Sequence, residues 1–88
     1  MEPEASFYVY IVRCGDGTLY CGSTGDLDAR IAAHRAGRGA RYTRGRGPLE
    51  LVYSEACRDR SEALRREAAI KRKRRSGKLA LIAQSHGC

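Results

Sequence analysis

Residues 6–14 (Ser-Phe-Tyr-Val-Tyr-Ile-Val-Arg-Cys) form a β-branched and aromatic run that ends directly in Gly15-Asp16-Gly17. The run has almost no polar alternation, the pattern of a central strand covered on both faces. Gly-Asp-Gly is a turn signal, and residues 18–22 read as the returning strand of a hairpin. Side chains alternate faces along a strand, so the length of that turn decides which of them share a face. A three-residue turn at 15–17, with Gly17 supplying positive φ, pairs Val12 with Tyr20 and leaves Tyr10 diagonal to Tyr20 on one face. A two-residue turn at Asp16-Gly17 would separate the two phenols.

The remaining elements follow from caps and periodicity. A helix is predicted over 26–36, with Asp26 near its start and Gly37 just past its end. Leu27 and Ile31 anchor it to the sheet, and Arg30 and His34, four apart, stack on one face. Residues 37–48 are rich in Gly and Arg and predict a loop with a short helix, closed by Pro48. Residues 49–56 predict a third strand. Asp59-x-x-Glu62 has the spacing of a capping box and opens a last long helix through about residue 75. The fold class is α+β: a three-stranded antiparallel or mixed sheet flanked by helices in the order β-β-α-α-β-α. A chain of 88 residues makes one domain, expected over 6–80 with short tails at 1–5 and 81–88. Such a domain buries roughly two thirds of its unfolded surface, so its core is modest.

Seventeen Lys and Arg oppose ten Asp and Glu, for a formal charge of +7. That balance favours polyanions through counterion release and long-range attraction. Cys14, Cys21, Cys57 and Cys88 form no C-x-x-C pair or Cys/His cluster, so they predict reduced thiols in a cytoplasmic protein and no structural zinc. No segment has the length of a signal peptide or membrane span.

On the last helix, 100° per residue gathers Ala63, Leu64, Ile70 and the stem of Lys71 within about 60° of Glu67. Glu67 thus lies in the stripe that should face the core. An inward carboxylate is costly unless paired or holding a metal. It is either an ion pair with an arginine or a ligand for a hard divalent cation, and the tyrosines with Arg30 favour the cation.

The ordered set Y-V-Y, Y-C-G, R-x-x-x-H, G-x-G-A-x-Y-T, L-V-Y-S-E and A-L-x-x-E-x-x-I-K resembles the GIY-YIG endonuclease family, specifically its small stand-alone branch. Tyr8 stands where the first tripeptide's glycine would be, and Cys21 replaces the isoleucine of the second. The resemblance implies a nuclease that hydrolyses phosphodiester bonds with one divalent ion, Mg²⁺ or Mn²⁺, on Glu67. It implies that Arg30 clamps the scissile phosphate. Tyr10 is implied as general base, its phenolate favoured by the cation and Arg30, with Tyr20 sharing the proton network or orienting the water. His34 is implied to position Arg30 or relay a proton.

The basic run Lys71-Arg72-Lys73-Arg74-Arg75, with Arg65, Arg66 and Lys78, and the loop residues Arg38, Arg41, Arg44 and Arg46 predict a phosphate-tracking surface, with Tyr42 placed to stack on an unpaired base. The expected partner is nucleic acid, DNA before RNA and suitably single-stranded, and not a membrane; a protein partner or homodimer stays open. The rival from another class is a non-catalytic basic module of the same fold, which explains the charge but not an inward Glu67 beside Arg30 and two tyrosines.

Overall fold

The computed structural model describes residues 7–38, 45 and 47–86. Three strands, β1 (Phe7–Arg13), β2 (Leu19–Thr24) and β3 (Glu50–Cys57), form one sheet in the order β2-β1-β3. Both pairings are antiparallel. The run expected to be a central strand is the central strand, with Val9, Ile11 and Val12 fully buried.

The hairpin turn has the expected parity. Cys14 and Thr18 close it through a 2.8 Å backbone bond, and Gly17, at φ +88°, donates to the Cys14 carbonyl at 2.8 Å. The Asp16 carboxylate accepts from the Thr18 amide at 3.1 Å and its hydroxyl at 2.7 Å. Val12 therefore faces Tyr20 and Tyr10 faces Gly22. Across the other ladder, β3 begins and ends one residue later than its sequence pattern suggests. It carries one extra residue, Val52, opposite the Ile11–Val12 step. The bulge lets consecutive residues Val52 and Tyr53 both reach the same core layer.

Helix α1 (Leu27–Arg35) covers one face of the sheet, packing Ile31 and Leu27 on Tyr10, Val12 and Tyr20. Asp26 caps it by accepting from the Ala29 amide at 3.1 Å, and Gly37 follows at φ +81°. Helix α2 (Arg60–Lys71) covers the opposite face, burying Ala63 and Ile70 against Val9, Ile11 and Cys21. The Asp59 carboxylate accepts from the Glu62 amide at 2.8 Å, and the Glu62 carboxylate accepts from the Arg58 amide at 2.6 Å, one residue before the position of a regular capping box.

The last helix is not continuous to residue 75. α2 ends at Lys71 and a further helix, α3 (Arg75–His86), follows. Five consecutive cations at 71–75 put like charges at neighbouring helical positions, which works against continuing the turn. The chain resumes as helix where Leu81 and Ile82 can add to the core layer under α2. Residues 81–86 thus belong to the folded body, where the sequence suggests a tail. The short helix expected within 37–48 falls largely on residues outside those described.

Candidate active site

Tyr10 is at the centre of the site. Its strand is paired on both sides and its side chain is 1% exposed. Its ring lies over Gly22: a Cβ built there would stand 2.5 Å from the Tyr10 hydroxyl and 3.2 Å from Tyr20 Cε2. The glycine of the Tyr20-Cys21-Gly22 tripeptide is therefore a space requirement of the phenol across the ladder. Tyr20 completes the aromatic corner, 6.5 Å from Tyr10 and 5.5 Å from His34 between ring centres.

Helix α1 delivers the polar partners. The Arg30 guanidinium lies beside the Tyr10 hydroxyl and lowers its pKa, and His34 Nε2 lies 3.0 Å from the same oxygen. A neutral imidazole whose Nε2 carries no proton accepts the phenolic hydrogen across that distance. The electrostatics agree. Burial, joined by the charge of Arg30, pulls the His34 pKa below its ordinary value. Burial also raises the Tyr10 phenol, and the hydrogen bond and charge of Arg30 only partly oppose it. The free protein thus holds a protonated Tyr10 rather than the phenolate expected of a general base at rest. His34 is 1% exposed, an integral part of the site rather than a surface histidine.

Glu67 comes from the other face. Its carboxylate accepts from Ser23 Oγ at 2.6 Å, and Lys71 Nζ stands 2.7 Å from its second oxygen. The pairing is thus to a lysine on its own helix, not to the arginine that the sequence suggests as the alternative. Burial alone would raise the Glu67 pKa, but the Lys71 and Ser23 hydrogen bonds outweigh it and hold the carboxyl below its usual range. Because β2 is an edge strand among the described residues, groups on its two faces feel one another: Glu67 raises Tyr10, and Tyr20 raises Lys71. The structure therefore gathers Tyr10, Tyr20, Arg30 and His34 on one face and sets Glu67 across β2 from them.

Leu64, expected in the buried stripe, is 48% exposed and lines a groove of about 220 Å³ with Glu67, Ala68 and Lys71. Arg38, Lys71, Arg72 and Lys73 are exposed, as a phosphate-binding surface requires. Arg41, Tyr42, Arg44 and Arg46 lie outside the described residues. Sequence reasoning misses Ser23, although strand parity places it with Cys21 on the α2 side. Buried Cys21 faces the same acid; burial, then the charge of Glu67, pushes its thiol up to about 11. Among the described residues no three His, Cys, Asp or Glu cluster as a metal site, and no helix is long and apolar enough to cross a membrane.

The family model for the GIY-YIG catalytic domain matches residues 6–80. The chain belongs to the GIY-YIG family. A UPF0213 protein of Staphylococcus haemolyticus is 53% identical over 78 residues, covering 89% of this chain and 95% of its own length. A UPF0213 protein of Streptococcus agalactiae is 49% identical over 77 residues, covering 88% of each. The solution structure of a UPF0213 protein from Bacillus halodurans superposes with a TM-score of 0.59 at 46% identity, over 89% of this chain and 83% of the other. An Enterococcus faecalis protein gives 0.63 at 36% identity, over 98% and 92%. A GIY-YIG catalytic domain implies nuclease-type chemistry on nucleic acid, and such nucleases generally use a divalent metal ion. The donors here fit a hard cation: Glu67 is ionised, Ser23 adds a hydroxyl oxygen, and the carboxylate already holds a positive group.

Proposed function

We propose that this GIY-YIG domain hydrolyses phosphodiester bonds of DNA, with one Mg²⁺ or Mn²⁺ ion held at Glu67, in the cytoplasm. The observation that carries this is the Tyr10 hydroxyl set between Arg30 and His34 beside Tyr20. A purely structural tyrosine in a small core does not need a buried imidazole on its oxygen and a guanidinium beside it.

Arg30 binds the scissile phosphate, since its planar fork donates two charge-assisted bonds and cannot lose its proton. Tyr10 takes a proton from the attacking water while passing its own to His34 Nε2 at 3.0 Å. From ordinary values of 10.0 and 6.5, that transfer is uphill by about 5 kcal/mol, and burial widens the gap. The proton therefore moves as attack develops instead of resting on His34 beforehand, with Arg30 stabilising the charge formed on the phenol. Tyr20 walls the corner and orients the water. Glu67 and Ser23 are the oxygen donors for the divalent ion, which when bound supplies charge stabilisation to the leaving oxygen. Arg38, Lys71, Arg72 and Lys73, with Arg41, Arg44, Arg46 and the base-stacking Tyr42, make the contacts that track the strand without reading its sequence.

Labelled single- and double-stranded DNA and RNA, incubated with Mg²⁺, Mn²⁺ or EDTA, test this. Metal-dependent cleavage is expected, strongest on DNA and lost in Arg30→Ala and Glu67→Ala. Strand binding that is equal in all three proteins, with no cleavage under any metal, would refute it. That outcome would fit the non-catalytic module, which a Glu67 fully engaged by Lys71 and Ser23 would suit.

A further inference from the structure

We infer that Lys71 is a resident counter-cation of Glu67 that nucleic acid draws away, so that a divalent ion binds the carboxylate well only when a strand is present. This rests on the reading of Glu67 as the acid that holds the ion. Both carboxylate oxygens are engaged in the free protein: Ser23 Oγ at 2.6 Å on one and Lys71 Nζ at 2.7 Å on the other. The two partners differ in kind. Ser23 is a short neutral side chain on the sheet, so it can stay and keep the carboxylate aimed. Lys71 is a cation on a four-carbon stem, and a dication bonding the same oxygen at roughly 2.1 Å cannot share it with an ammonium. One of the two positive charges must leave.

Two features give Lys71 a way out and a destination. Its side chain is 52% exposed while that of Glu67 is 16% exposed, so the ammonium sits on the solvent side of the acid. Acid and amine line the same groove of about 220 Å³, so the exchange needs rotamer changes and no backbone movement. Lys71 also opens the cationic run that continues to Arg75, the surface a phosphate chain approaches first. A phosphate oxygen competing for the ammonium frees Glu67, and linkage makes the effect mutual: metal binding then favours strand binding by the same factor.

The test is Mn²⁺ binding to the full chain without nucleic acid, read as free Mn²⁺ by electron paramagnetic resonance. Lys71→Met and Lys71→Gln are expected to bind about three- to fivefold more tightly than the unaltered protein, the competition expected of an ion pair whose lysine is half-exposed. Arg65→Met, which removes an equal charge from the outer face of the same helix, is expected to shift binding less than twofold. An oligothymidylate should tighten Mn²⁺ binding more in the unaltered protein than in Lys71→Met. Unchanged affinity in both Lys71 variants, or an equal gain in Arg65→Met, would overturn the inference while leaving Glu67 as the ligand. Glu67→Gln separates the two levels: it should weaken Mn²⁺ binding, and if it does not, the metal role of Glu67 fails.

Discussion

Replacing Gly22 with alanine tests the central geometry directly. The added methyl would stand 2.5 Å from the Tyr10 hydroxyl, 2.8 Å from Cζ and 3.2 Å from Tyr20 Cε2. Tyr10 is 1% exposed and held by His34, so it has little room to retreat. Overpacking of this kind costs about 1–3 kcal/mol. Against it, alanine in a strand interior gains about 0.5–1 kcal/mol over glycine. The net expectation is a loss of about 1–2 kcal/mol, or roughly 5–15 °C in Tm for a domain of this size. Thermal and urea unfolding measure it, with Tyr10→Phe as the second arm. Removing the hydroxyl relieves the closest contact but not the one to Cζ, so the double variant should be more stable than the sum of the single losses by at least about 0.5 kcal/mol. A neutral or stabilising Gly22→Ala would refute the placement of the phenol over the glycine. The hairpin parity that brings the two tyrosines together would fall with it.

Gly17→Ala meets no atom within 4 Å but forces φ +88° on a residue with a Cβ; a loss of about 1–2 kcal/mol in urea unfolding is expected, and no loss would mean the turn has another form. The depressed His34 pKa makes the unfolded chain take up a proton first as pH falls. Its contribution to stability is therefore full above the unfolded value, roughly 6.5, and is lost as pH drops through the lower folded value. Urea midpoints between pH 8 and 5 should show that fall, and His34→Gln should flatten it. If cleavage is measured, Arg30→Ala should slow it on the order of 10²-fold or more with the fold intact by circular dichroism. An effect below tenfold would remove Arg30 from the transition state.

Local chemistry makes the hairpin and α1 legible in the amino-acid order alone. Gly17 and the turn length set the register of Tyr10 and Tyr20, and Asp26 and Gly37 bound a helix that needs no distant contact to start or stop. The break after Lys71 is less visible, because each residue of 71–75 is an acceptable helix former alone. Charge crowding and the packing of Leu81 and Ile82 decide it together. Glu67 stands out of place in its helical stripe, but its partners do not show. Ser23 is 44 positions away in sequence, and an i,i+4 lysine looks like an ordinary exposed pair until the carboxylate is seen to be half-buried. The protonation of Tyr10 is also hidden, since only the closed core shows that burial outweighs Arg30.

The middle strand, Phe7–Arg13, is laddered along both of its sides, whereas Leu19–Thr24 is laddered on one among the described residues. Tyr10 is thus attached to the stretch whose amides should exchange with solvent only when the whole molecule opens. Ser23, which steadies the acid, rides a stretch free to fray. Moderate heating should accordingly loosen the Ser23–Glu67 contact well before the Tyr10–His34 contact is disturbed.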